Sequence, residues 1–253
     1  MMSVWSHVGF LFCVALATFA QNTTGFAFGL LLLGLTGLLQ LAPVETVANV
    51  SSILTLINAF VLLRRRPALA PKLLALILGC SLLGVVAGVE LLGLLGAHER
   101  DLLQLALGVT IVLCSFLLVV QSRHLERLSG WLSFSGFAGL SGVMGGLFSS
   151  AGPPLVYQLY RQPLAAQVVR DTLIMVFALN ALLRLGLQSY AGRLEVSAGY
   201  LALEAAPVVF ALTWYMRRRP PAIKARTLRI GVFVLLLLAG VSLVMRPLLS
   251  IHF

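Results

Sequence analysis

Gln21-Asn22-Thr23-Thr24-Gly25 and Ser149-Ser150-Ala151-Gly152-Pro153-Pro154 are polar, helix-breaking interruptions in apolar sequence of membrane length, and they occupy matching places in the two halves of the chain. Within hydrocarbon, unpaired backbone N–H and C=O groups cost several kcal/mol each, so broken backbone survives only where protein buries it or it lines a wet cavity. A matched pair of such breaks is the sequence signature of a transporter binding site. The rest of the chain fits that setting. Its 253 residues are 60% hydrophobic and 10% charged, with a mean hydropathy of +1.01. Soluble domains carry about 25% charged residues. The expectation is an integral membrane protein with little outside the bilayer.

A net charge of +10 would suit a nucleic-acid binder, but the basic residues cluster between apolar segments. Arg64-Arg65-Arg66 with Lys72, Arg123 with Arg127, and Arg217-Arg218-Arg219 with Lys224, Arg226 and Arg229 form a positive-inside pattern that also contacts lipid head groups. No nucleic acid is implied. The apolar run 8–20 lacks a basic region before it and is read as a retained first helix rather than a signal peptide. Cys13, Cys80 and Cys114 stand apart in apolar segments, and no C-x-x-C or histidine cluster occurs. Neither a disulfide, a metal site nor a cofactor is implied.

Apolar runs and punctuation predict helices at about 5–20, 25–40, 44–63, 68–95, 100–121, 128–148, 153–161, 164–188, 196–216 and 228–247. The second and seventh are too short to span with ease and read as half-helices. The fold class is therefore an all-α polytopic membrane protein. It divides into two repeats of about five segments, residues 1–123 and 124–253, with broken or short helices near the midplane. Asn58-Ala59-Phe60-Val61-Leu62-Leu63-Arg64 matches Asn180-Ala181-Leu182-Leu183-Arg184 with a two-residue gap, and Asn49 falls opposite Asp171. Placing the basic loops in the cytoplasm puts both termini outside it. Each half then holds an odd number of segments, which makes the repeats inverted.

Several polar groups need explaining inside such a bundle. Asn22, Thr23, Ser149 and Ser150 are good N-cap types for the helices after each break, and Pro153 suits a first helical turn. Two helix N-termini facing each other would make a donor-rich pocket for an anion. Gln21, Asn22, Thr23, Thr24, Gly25, Ser149, Ser150, Gly152 and Pro153 are the expected binding residues. Gly136, Gly139, Gly142, Gly145 and Gly146 add a small-xxx-small stripe that lets helices approach. Arg170 either grips an anion with its guanidinium fork or pairs with Asp171, or snorkels. Arg184 is expected to snorkel at the end of the same helix. Glu204 and Asp171 are coupling candidates for protons, with Asn49 a third position; the other reading of Glu204 is an ion pair with a membrane arginine. Glu45 reads as an N-terminal helix charge, and Trp131, Trp214, Tyr157 and Tyr160 as interfacial aromatics.

The run from Gly136 through Ser149-Ser150-Ala151-Gly152-Pro153-Pro154-Leu155 resembles the second-repeat signature of the TauE/SafE family of sulfite exporters and related anion permeases. Arg170-Asp171-Thr172-Leu173 is similar to the arginine-containing motif that follows it there. The first repeat departs from the family pattern: a Gly-x-Gly-Gly-Gly cluster is usual, and this chain has Thr18-Phe19-Ala20-Gln21-Asn22-Thr23-Thr24-Gly25. The resemblance implies export or uptake of sulfite, sulfonates or other small organic anions. Without a G-x-x-x-x-G-K-[ST] run, energy would come from a proton gradient or the membrane potential. The leading reading is a secondary transporter working by alternating access in the bacterial inner membrane, compatible with a homodimer. An anion channel or a non-transporting scaffold is the alternative. An enzyme is not expected, because His7, His98, His124 and His252 lie at segment ends or in loops and no Ser/His couple or H-E-x-x-H occurs.

Overall fold

The described residues form ten helices and no strand: α1 (Val4–Thr24), α2 (Phe28–Leu38), α3 (Val44–Leu62), α4 (Pro71–His98), α5 (Arg100–Val119), α6 (Trp131–Phe148), α7 (Gly152–Tyr160), α8 (Ala166–Tyr190), α9 (Val196–Arg218) and α10 (Ala225–Ser250). The computed structural model describes residues 4–63, 67–98, 100–119, 125–150, 152–219 and 225–250. Arg64, Arg65, Arg66, Arg123, His124, Ala151, Lys224 and His252 lie outside the described residues, as do the side chains of Thr24, His98, Arg100, Arg226, Arg229 and Arg246. Five helices are long and apolar enough to cross a membrane among the described residues: α1, α3, α4, α6 and α9.

The two expected short elements are short. At about 1.5 Å per residue, the 11 residues of α2 and 9 of α7 reach roughly half of a ~30 Å hydrocarbon core. Every residue of α2 from Phe28 to Thr36 is buried. Its Leu30-Leu31-Leu32-Leu33 run has no polar face because helices surround it on all sides. Each short helix folds back on the one before it. Leu41, just past α2, stands opposite Gly9 near the start of α1. Just past α7, Gln162 bonds back to Ser129 before α6, and the Leu125 N–H donates to the Arg161 carbonyl at 2.8 Å.

The first break lies later than the sequence predicts. α1 continues through Thr24 instead of stopping near residue 20, and Thr23 Oγ1 donates back to the Phe19 carbonyl at 2.7 Å. The helix ends on Gly25, whose φ of 83° favours a residue without a Cβ and whose N–H reaches the Gln21 carbonyl at 2.7 Å. Asn22 and Thr23 therefore do not cap α2; its N-cap is Ala27, which offers no side-chain hydrogen bond. At the second break Pro153 does occupy the first turn of α7, while Ser149 closes α6 in the left-handed region, φ 53°.

Backbones meet most closely where α4 crosses α6. A Cβ on Gly142 would run into the Ser81 carbonyl, and one on Gly146 into the Val85 carbonyl. Gly84 and Gly88 are hemmed in by the Gly139 and Val143 carbonyls in return. This is the small-residue packing that membrane helices use in place of a hydrophobic drive. Large apolar side chains are exposed on the outside of the bundle, including Trp5, Phe60, Leu132 and Leu203, as suits a surface in lipid. Trp131 and Trp214 are also exposed, and the Arg218 guanidinium lies 3.7 Å over the Trp214 ring.

Gly142→Ala is expected to lower the melting temperature of the detergent-solubilised protein, since overpacking against backbone costs about 1–3 kcal/mol. Gly136→Ala, where a Cβ meets nothing within 4 Å, is expected to leave it unchanged or raise it. Paired thermal melts of the two variants check this.

Candidate functional site

The two breaks pack against each other. Gly29, in the first turn of α2, sits so close to the second break that a Cβ there would fall 2.6 Å from the Ser149 carbonyl oxygen. Phe26 of the first break covers Gly152 of the second. Beside this junction lies a cavity of about 410 Å³, counting its open mouth. Its wall takes Gln21, Phe26, Ala27, Phe28 and Gly29 from the first break and Gly145, Ser149, Ser150 and Gly152 from the second. Thr55 of α3 and Phe177, Asn180 and Ala181 of α8 complete it.

No charged side chain is among these lining residues. What they supply is oriented dipoles. The N–H groups of Phe28, Gly29 and Leu30 precede the first intrahelical bond of α2, which is Leu31 N–H to Ala27 carbonyl at 2.9 Å, so the positive end of that helix faces the cavity. The α7 end differs. Pro153 and Pro154 carry no N–H, so the hydroxyls of Ser149 and Ser150 stand where a donor-rich turn would otherwise be. Gln21 and Asn180 each hold a buried amide oxygen without a partner. Such an orphan costs about 1–3 kcal/mol, which a polar occupant of the cavity would relieve. Asn180 Nδ2 lies 2.7 Å from Ser81 Oγ, and a serine hydroxyl donates as well as it accepts. A turned Asn180 amide would keep that bond and present N–H to a ligand.

Other sequence-derived candidates fall outside the cavity wall. Asn22 is buried and donates to Thr213 Oγ1 at 3.0 Å; Thr213 donates in turn to Asn58 Oδ1 at 2.9 Å. That chain ties α1, α9 and α3 together. Gly25 lies on the far side of the first break, where its Cα faces Arg170 Cγ and Tyr160 Oη. Arg170 is half-buried there, and no ion pair joins it to Asp171 among the described residues. Asp171 instead accepts from Gln167 Nε2 at 2.8 Å in an exposed pair. Glu204 pairs with His7 of α1 at 2.8 Å rather than with an arginine, the Glu204 side chain 33% and the His7 ring 40% exposed. Glu45 does sit in the first turn of α3.

Arg184 corrects the sequence reading most sharply. It does not snorkel. It is wholly buried, with Nε donating to the Gly146 carbonyl at 2.9 Å and Nη1 to Asn49 Oδ1 at 2.8 Å and Ser52 Oγ at 3.3 Å. Ser52 Oγ is 2.7 Å from Ser149 Oγ on the cavity wall. The sequence carried no signal for this: with the helix expected to end at about 188, Arg184 stood one turn from its end, where arginines commonly snorkel.

Buried broken helices converging on one cavity, inside a bundle of membrane-length helices, are the architecture of a polytopic membrane transporter. The chain belongs to the sulfite exporter TauE/SafE family, whose model matches residues 10–243. It is 34% identical over 229 residues to the probable sulfite/organosulfonate exporter TauE of Cupriavidus necator, with 90% of each chain covered. No solved structure matches it. Membership sets it among exporters, not enzymes.

Thr213→Val is expected to destabilise the protein by about 1–3 kcal/mol, because it strands the buried amides of Asn22 and Asn58. It should leave anion affinity unchanged, since Thr213 is not part of the cavity wall. Thermal melts with and without added anion read both effects.

Proposed function

We propose that the chain carries sulfite or a small organosulfonate across the bacterial inner membrane as a secondary transporter. The anion is held between the α2 N-terminus and the hydroxyls of Ser149 and Ser150. The observation that carries this is the junction itself: Gln21 and Phe26 to Gly29 from the first break and Ser149, Ser150 and Gly152 from the second share one cavity whose lining contains no carboxylate. The 34% identical relative is named as a probable sulfite/organosulfonate exporter, and a pyramidal or tetrahedral sulfur oxyanion suits a pocket of N–H and O–H donors.

Residues 1–123 and 124–253 act as inverted halves that exchange access to this cavity. The back-folded pairs α1–α2 and α6–α7 support that reading, as do the ends at which they start. The α1 C-terminus is tied to the arginine-rich ends of α3 and α9 through Thr213 and Asn58, and Arg217 donates to the Val61 carbonyl there. α6 begins beside Gln162 at the α7–α8 connection, next to Arg161. With the basic end in the cytoplasm, both termini lie outside it. Arg170 meets the anion at the cytoplasmic approach, against Gly25. Coupling to protons falls to Glu204 and its partner His7. Asp171 is engaged by Gln167 at the surface, and Asn49 does not titrate.

Sulfite is expected to raise the melting temperature of the purified protein, by about 2.7 kcal/mol of stabilisation at a hundred times Kd. Ser150→Leu, which fills the cavity, should abolish the rise, and Arg170→Ala should weaken it. An equal rise in Ser150→Leu and wild type, or none with any sulfur oxyanion, would contradict the proposal.

A further inference from the structure

Among the described residues Arg184 is the largest side chain with no exposure at all, and every group that it bonds is neutral: the Gly146 carbonyl, the Asn49 amide and the Ser52 hydroxyl. Its Nη2 has no partner. Among the described residues no carboxylate stands within ion-pairing distance of it. Burying a guanidinium this way costs several kcal/mol even after relaxation, and partners normally include a counter-charge. A counter-charge would be simple to install. Asn49 Oδ1 is 2.8 Å from Nη1, and aspartate is isosteric with asparagine. The chain keeps the neutral amide, so the fixed counter-charge acting on Arg184 is that of Glu45, exposed in the first turn of α3 and beyond ion-pairing distance.

The surroundings of Arg184 show where a mobile counter-charge would come from. Gly146 follows Gly145, Asn180 lies one turn earlier on α8, and Thr55 lies three residues past Ser52 on α3; Gly145, Asn180 and Thr55 all line the cavity. The hydroxyl pair of Ser52 and Ser149, 2.7 Å apart, links the cavity wall to the guanidinium. On the opposite side, Asn49 Nδ2 donates to the Arg193 carbonyl at 3.5 Å in the exposed α8–α9 connection.

We propose that Arg184, Asn49 and Ser52 form a second anion station for a sulfur oxyanion, between the cavity and the α8–α9 connection. The anion reaches it when the Ser52–Ser149 pair parts. There it takes the free Nη2 donor and the Ser52 hydroxyl, and it neutralises the buried guanidinium. This rests on the anion-transport reading of the adjoining cavity.

Asn49→Asp in the full-length protein tests the station, with sulfite affinity taken from thermal stabilisation. A carboxylate 2.8 Å from Nη1 would balance the charge permanently and repel the ligand. The sulfite-free melting temperature should stay level or rise while Kd increases by about fivefold or more. A purely structural arginine would give the same gain in stability with a smaller change in Kd, and that result overturns the station. Should Asn49→Asp not fold, Arg184→Gln decides in its place: the same loss of affinity supports the station, and retained affinity overturns it. Absence of sulfite stabilisation in the wild type would instead sink the cavity reading, and the station would fall with it.

Discussion

Backbone that leaves its helix inside a membrane must find partners in protein or water, and this molecule is organised around meeting that demand twice in one place. Each break is costly alone. Set against each other, they let α2 and α7 begin deep in the bundle, shielded from lipid by the helices around them. Gly29 permits the approach, because a side chain there would collide with the Ser149 carbonyl. Ala27 and Ser149, both non-glycine residues with positive φ, show backbone strain concentrated at the junction.

α3 links the junction to both ends of the molecule. Thr46, Asn49, Ser52, Thr55 and Asn58 recur every third residue and are all buried. At 100° per residue such a row drifts by about 60° per step, so it winds around the helix and meets a succession of partners. Thr46 donates to Glu195 at the start of α9, Asn49 and Ser52 hold Arg184, Thr55 lines the cavity, and Asn58 accepts from Thr213. A hydrophilic spine of this kind keeps a row of polar side chains inside the bundle and away from lipid.

Much of this was legible in the sequence for physical reasons. Hydropathy and length mark membrane helices because bilayer thickness sets both, and Gly, Pro and Ser mark breaks because they alter backbone hydrogen bonding directly. The short α2 and α7, Pro153 in its first turn and the Gly142–Gly146 stripe all follow from such local rules. What was not legible depended on tertiary partners. Asn22 and Thr23 have the chemistry of caps, yet α1 runs through them because Asn22 is drawn to Thr213 and Thr23 bonds its own helix. Arg184 resembles an interfacial arginine by sequence, and its burial depends on acceptors from α3 and α6. The every-third polar pattern of α3 was visible in the chain, but it matches neither an amphipathic helix nor a strand.

The claim on which everything else rests is that both breaks bind the same anion. Ala27→Cys and Ser150→Cys, each in a background lacking Cys13, Cys80 and Cys114, place a thiol on either side of the cavity. The measurement is the rate of thiol alkylation against rising methanesulfonate. Protection of both positions with one common half-protecting concentration is the predicted result. Protection at one position alone, or at neither, would contradict a shared site.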